Sequence, residues 1–212
     1  MANEKQRGNI LKLVQLAILT ALVIVLQALG SFIKIGPLPM SFVLVPIVIG
    51  ACLLGAKYGA FLGFVFGLIT MIMGITGADA LSFLLFEANP VLFVVLCLLK
   101  AIMAGFFAGL VYTLLGKAFN GKNKILQTIL ASITAPIVNT GIFVVGMLLF
   151  FVPTMEALPS MFPDVFGDFD NAVQLVLLGL AGVNFIGEFV VNLVLSPAIV
   201  RIIDVVKKKL HF

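Results

Sequence analysis

The 212-residue chain has no tryptophan, one histidine and two cysteines, and only 10% of its residues are charged. Each scarcity closes off a class of function. The single histidine, His211, is the penultimate residue and supplies neither a His-based metal centre nor a catalytic triad. Cys52 and Cys97 both lie inside apolar runs, where a thiol packs as a small hydrophobe rather than as half of a disulfide or a metal ligand. No GxxxxGK[ST] phosphate loop occurs, so ATP hydrolysis by that motif is not expected of this chain. HExxH and GxSxG are also missing, and with them the common hydrolase signatures. The expectation is a non-enzyme without metal or cofactor. Charge at 10% is far below the roughly 25% usual in soluble domains.

What fills the chain instead is apolar. Hydrophobic residues make up 62% and mean hydropathy is +1.27. That composition describes a polytopic, all-α membrane protein, and at about 20 residues per crossing the length allows about five to seven helices. The short alternating segments of a membrane barrel are absent. A net charge of +4 fits membrane orientation better than nucleic-acid binding. Lys5, Arg7 and Lys12 precede the run Leu13–Leu29, which is longer than a signal-peptide core and lacks a small-x-small cleavage site, so it is expected to stay as a helix.

The pattern predicts one membrane domain over 1–212 with six helices, at about 9–30, 42–56, 58–74, 90–115, 125–151 and 172–203. The second is short for a full span. GSFIKIGPLPMS, with two prolines and two glycines, reads as a loop after helix 1. GITGADALSFLLFEANP and PTMEALPSMFPDVFGDFDN also read as loops. The ALSFLLF stretch within the first is too short to span and suited to dipping into the interface or covering a cavity. Six crossings place both termini on one side. Eleven of the 13 basic residues fall there: Lys5, Arg7, Lys12, Lys57, Lys117, Lys122, Lys124, Arg201 and Lys207 to Lys209. That side is then cytoplasmic. Asp79, Glu87, Glu156, Asp164, Asp168 and Asp170 lie in the opposite loops.

Small residues recur at four-residue spacing in helix 3 (Gly55, Gly59, Gly63, Gly67) and helix 4 (Ala101, Gly105, Gly109), a packing pattern of membrane helices. Polar residues inside the spans are fewer and more informative. Asn184, Glu188 and Asn192 stack along one face of the last helix. An ionisable group at membrane depth costs several kcal/mol unless paired or wetted, so it marks a site by default. Lys100 lies about ten residues, or ~15 Å, into its own helix. Competing assignments stand beside these. The Asn–Glu–Asn stripe also suits an interhelical clamp, and Lys100 also suits snorkelling or a permanent pair with Glu188. Asn139 stands near Pro136 and equally suits a freed carbonyl, while Asn89 beside Pro90 also suits a helix cap. Gln27 and Gln174 are weaker candidates.

The run IKIGPLPMSFVLVPIVIGACLLGAKYGAFLGFVFGLI resembles the substrate-binding S components of energy-coupling-factor (ECF) vitamin transporters. The likeness continues through KAIMAGFFAGLVYTLL and PIVNTGIFVVGMLLFF and covers nearly the whole chain. It implies a subunit of the cell membrane that captures a water-soluble vitamin from outside. It also implies a transmembrane coupling subunit and two cytoplasmic ATPases as partners, and a binding subunit that tilts within the lipid to carry its ligand inward. The family's Ala-x-x-x-Ala motif on helix 1, which contacts the coupling subunit, matches Ala17 and Ala21.

On this account Lys100, Asn139, Asn184, Glu188, Asn192 and Asn89 are the candidate substrate contacts, with the ligand desolvated beneath the Gly/Pro loop after helix 1. A buried lysine suits a carboxylate, and Asn or Glu suit hydroxyls and amides. With no Trp, and Tyr58 and Tyr112 both near the cytoplasmic side, stacking of a large flat ligand would fall to the 20 Phe. A small carboxylate-bearing vitamin such as pantothenate fits best, with riboflavin, folate and biotin open. The alternative class is a self-sufficient, proton-coupled secondary transporter using Glu188.

Overall fold

The computed structural model describes residues 2–30, 34–35, 38–39 and 42–210. It opens with α1 (Ala2–Gly30) and a two-residue antiparallel ladder of β1 (Lys34–Ile35) and β2 (Leu38–Pro39). Then come α2 (Leu44–Leu54), α3 (Ala56–Ile75), α4 (Ala80–Ala88), α5 (Pro90–Ala118) and α6 (Lys124–Phe150). The chain continues through α7 (Val152–Met161), α8 (Pro163–Phe166) and α9 (Ala172–Gln174), then a π-helical segment (Leu175–Gly182) that runs straight into α10 (Val183–Leu210).

Each of the six expected apolar segments is helical, and five are long and apolar enough to cross a membrane: Gln6–Gly30, Ala56–Ile75, Pro90–Ala118, Lys124–Phe150 and Ala172–Val206. The exception, α2, has 11 residues. At 1.5 Å per residue it rises only ~16 Å, about half of a ~30 Å hydrocarbon core. It joins α3 without a linker at Gly55, whose φ of 108° is open to glycine and strained for any residue with a Cβ.

Two segments expected as loops are partly helical. Asp79 accepts a hydrogen bond from the Ser82 amide at 3.0 Å and so caps α4, which turns ALSFLLF into a helix rather than open loop. In the acidic segment after α6, Pro153 stands in the first turn of α7, where its missing N–H removes no helical bond. Most of the Gly/Pro loop between Gly30 and Ser41, and His211, lie outside the described residues.

Packing follows the small residues. A Cβ at Gly59, Gly63 or Gly67 of α3 would meet the backbone carbonyls of Gly105, Ala101 and Cys97 of α5, and one at Gly109 would meet the Ala56 backbone. These contacts recur every four residues in opposite chain directions, so α3 and α5 lie antiparallel with their backbones touching along one seam. A Cβ at any of these glycines would hold the helices apart, which is why the α3 stripe is glycine.

The same contacts orient the ends. Gly109 beside Ala56 puts the start of α3 at the end of the bundle that carries Lys117. The Lys124–Asp204 ion pair, 3.3 Å, joins the start of α6 to the late turns of α10. Gln27 Nε2 lies 3.8 Å from Met73 Sδ, so α1 and α3 finish together at the other end. Lys57, Lys117, Lys124 and the late turns of α10 therefore gather at one end of the bundle, with the acidic segments at the other and Lys100 between them.

Two apolar clusters fill the interior. One, toward the basic end, joins α1, α2, α3, α5, α6 and α10 through residues such as Leu19, Ile47, Leu62, Ala104, Ala135 and Ile199. The other, toward the acidic end, joins α4 to α7 and the π segment through Leu85, Phe93, Met147, Met155 and Leu175. The outer surface is apolar, with Val91 72% and Leu149 67% exposed, as lipid-facing residues must be.

Candidate substrate site

Where the two apolar clusters meet, the polar residues of the spans converge on one cavity of about 100 Å³. Lys100 of α5, Asn139 and Thr140 of α6, and Asn184 and Glu188 of α10 contribute to its wall. Each stands where helical spacing puts it. Asn184 and Glu188 are one turn apart on α10, and Lys100 sits mid-helix on α5, one residue before the Ala101 that packs against Gly63.

Glu188 is the most enclosed charge among the described residues, 1% exposed. Its carboxylate accepts from Asn184 Nδ2 at 3.4 Å and from Asn139 Nδ2 at 3.5 Å. Both bonds are long, so neither amide fully commits the carboxylate and acceptor capacity remains toward the cavity. Lys100 reaches no carboxylate among the described residues. Among the described residues the ion pair within 4.0 Å is Lys124–Asp204, and the Lys100 ammonium lies instead over the Phe143 ring at 5.1 Å from its centroid. Lys100 and Glu188 thus share one small, mostly polar-lined chamber with no ion pair between them, and Asp79 stands as a second acid on its wall. Lys100 and Glu188 are each left with a charge that a ligand of opposite sign or a strong dipole would satisfy.

Two of the sequence candidates stand elsewhere. Asn89 caps α5, its side-chain oxygen accepting from the Leu92 amide at 3.1 Å, and it does not line the cavity. Asn192 is fully buried one turn beyond Glu188 and donates to the Glu188 carbonyl at 2.8 Å, also off the cavity wall. Asn139 turns toward Glu188 rather than toward the carbonyl that Pro136 leaves without a helical donor.

A family model for the substrate-specific component of the ECF transporter matches residues 11–200. The chain belongs to that family. Among its relatives, the Pantothenic acid transporter PanT of Lactococcus lactis subsp. cremoris (strain MG1363) is 26% identical over 196 residues, 87% of this chain and 89% of the relative. The solved structure of ThiT from Listeria monocytogenes superposes with a TM-score of 0.57 at 18% identity, covering 91% of this chain and 94% of that one, a likeness of fold alone. This S component is a multi-pass protein of the cell membrane.

The S component's cavity also recruits residues that sequence reasoning did not single out. Thr70 of α3, Asp79 and Ser82 at the start of α4, and Phe66 and Phe143 complete much of the wall. Gln27, a weak candidate from sequence, reaches it from α1. Thr140, beside Asn139, carries a buried hydroxyl with no hydrogen-bond partner among the described residues. Its adjacency to Asn139 was the available signal. The π segment adds Leu180 and Ala181 immediately before Asn184. π-Helical turns carry an extra residue per turn and recur at functional sites. Here the segment runs directly into the first turn of α10, which carries Asn184.

Proposed function

We propose that this S component binds pantothenate at the Lys100–Glu188 cavity and delivers it inward together with a transmembrane coupling subunit and two ATPase subunits. The observation that carries the reading is the pair of opposite charges in one cavity with no bond between them. Lys100 offers the single cation suited to a carboxylate, and Glu188, Asn139, Asn184 and Thr140 offer partners for hydroxyls and an amide. The Lactococcus relative, a pantothenic acid transporter by name, supports the same substrate.

At about 100 Å³ the cavity is below the roughly 300–1,000 Å³ usual for ligand pockets. Admission of a vitamin therefore widens it, and the wall with least bulk to move is α4, nine residues long and capped at both ends by loop residues. The positive-inside rule sets the basic end in the cytoplasm and opens the α4 end outward. Asn89 and Asn192, one capping α5 and one behind Glu188, enter this reading as supports of the site, not as groups that touch the vitamin.

The test of the transport class is reconstitution. Uptake should require ATP and the partner subunits, which should copurify with the S component. Uptake driven by a proton gradient with no ATPase present would assign the work to Glu188 as a proton site instead. Ala17 and Ala21, both exposed on α1, mark the expected coupling contact. Replacing both with leucine should leave vitamin affinity within about twofold while lowering uptake about tenfold or more, because bulk blocks close helix approach without reaching the cavity. Unchanged uptake would remove α1 as the coupling surface.

A further inference from the structure

Below Glu188, toward the basic end, the interface of α6 and α10 carries three buried polar residues that do not line the substrate cavity, Ser132, Asn192 and Ser196. Two contacts fix the register of these antiparallel helices. Lys124 meets Asp204 at one end and Asn139 meets Glu188 further along, so fifteen residues of α6 run against sixteen of α10. Ser132, eight residues on from Lys124, is therefore level with Ser196, eight residues back from Asp204. Asn192, four residues beyond Glu188, is level with Ala135. Helical spacing puts Ser132 on the α6 face that carries Asn139, and Asn192 and Ser196 on the α10 face that carries Glu188. Ser132, Asn192, Ser196 and Asn139 are 0%, 0%, 1% and 3% exposed.

These buried groups are short of partners in a specific way. Ser132 Oγ, Asn192 Oδ1 and Asn139 Oδ1 have no hydrogen-bond partner among the described residues. The amide nitrogens of both asparagines are already engaged, Asn192 with the Glu188 carbonyl and Asn139 with the Glu188 carboxylate. Pro136 has no N–H, so the Ser132 carbonyl, four residues earlier, also loses its helical donor. The surplus is of acceptors, with one hydroxyl able to donate. Buried polar atoms in native proteins are almost always satisfied, and where protein supplies no donor, ordered water does. The flanking residues Ala131 and Ala135 are small, and the seam is closed below by the buried side chains of Ile199 and Ile203.

We propose that the α6–α10 seam beneath Glu188 is a closed hydration site, in which ordered water donates to the amide oxygen of Asn192 and to the Ser132 carbonyl, and accepts from the Ser132 hydroxyl. This site is separate from the substrate cavity, and it does not depend on which vitamin binds there. It ties the α10 wall that carries Glu188 to α6 by bridged hydrogen bonds instead of by interlocked side chains.

X-ray radiolytic footprinting of the full chain in lipid nanodiscs tests the proposal directly, because buried water generates hydroxyl radicals that label adjacent side chains. Pro136 and Ile199 should be labelled several-fold more than Leu44 and Ile47, whose buried positions lie in the dry core. A second arm reads Ser132→Ala by thermal unfolding with a thiol-reactive dye, which reports exposure of the buried Cys52 and Cys97. If the hydroxyl holds water, its loss lowers Tm by roughly 2–8 °C. If the seam is dry, Ser132→Ala removes an unsatisfied hydroxyl and Tm is unchanged or rises. Labelling at Pro136 and Ile199 equal to the core controls, or a Tm that does not fall, overturns the hydration site.

Discussion

Lys100→Ala should weaken pantothenate binding by about 30-fold to several thousand-fold, the effect of truncating one partner of a desolvated charge pair. The same substitution should change binding of the corresponding alcohol, in which the carboxylate is replaced by CH2OH, by only about fivefold or less, since no charge is then left unpaired. The contrast rests on geometry. Lys100 lines the cavity, holds no carboxylate of its own among the described residues and rests on the Phe143 ring. A cation–π contact of that kind is worth about 0.5–2 kcal/mol, so the ammonium gains more from a ligand carboxylate than it loses in leaving the ring. Titration calorimetry on the two ligands reads both numbers. Equal losses for acid and alcohol would mean that Lys100 shapes the cavity without binding a carboxylate.

Gly63→Leu should remove folded protein from the membrane, or lower Tm by more than about 10 °C where some survives. Even a Cβ at Gly63 meets the Ala101 backbone carbonyl, and backbone on both sides of a helix pair cannot step aside as a side chain does. Separating α3 from α5 there would also move Lys100, the neighbour of Ala101, away from Glu188. Gly141→Ala is the matched control. A Cβ at Gly141 meets nothing within 4 Å, so the variant should be neutral or gain up to about 1 kcal/mol from helix propensity. Size-exclusion profiles and dye-monitored unfolding separate the two outcomes. Equal tolerance at both glycines would contradict the backbone-contact seam.

These two predictions draw on features of unequal visibility in the sequence. The glycine and alanine stripes were legible because a four-residue repeat on each of two helices is a local pattern, and antiparallel packing turns it into a contact. The charges Lys100 and Glu188 stood out because ionisable groups are rare at membrane depth. Their meeting in one cavity, however, depends on the register between α5, α6 and α10, which no single segment's periodicity encodes. Thr70, Thr140 and Ser82 escaped notice for the same reason, since small hydroxyl residues are common in membrane helices and only tertiary position distinguishes these three. Asn89 and Asn192 show the converse. Each is polar in an apolar context, but one satisfies the end of α5 and the other a carbonyl of its own helix. The helices α4 and α7 were hidden because their apolar stretches are too short to read as spans, although Asp79 before ALSFLLF was a usable cap signal.

The chamber between the two apolar clusters explains why the bundle tolerates a buried carboxylate. Asn139 and Asn184 share it loosely, and the long bonds leave it ready for a third partner. A clamp built only to hold α6 against α10 would gain from shorter bonds and would have no use for a lysine nearby. On the proposed reading the loose arrangement is an advantage, because the partner that completes it comes and goes.

Calorimetric titration of the purified S component with a panel of water-soluble vitamins tests the central claim most directly. Pantothenate should bind saturably and one-to-one, at least about a hundredfold tighter than riboflavin, folate or biotin, which corresponds to about 2.7 kcal/mol of discrimination. Absence of heat with every vitamin in the panel, from protein that unfolds cooperatively, would contradict it.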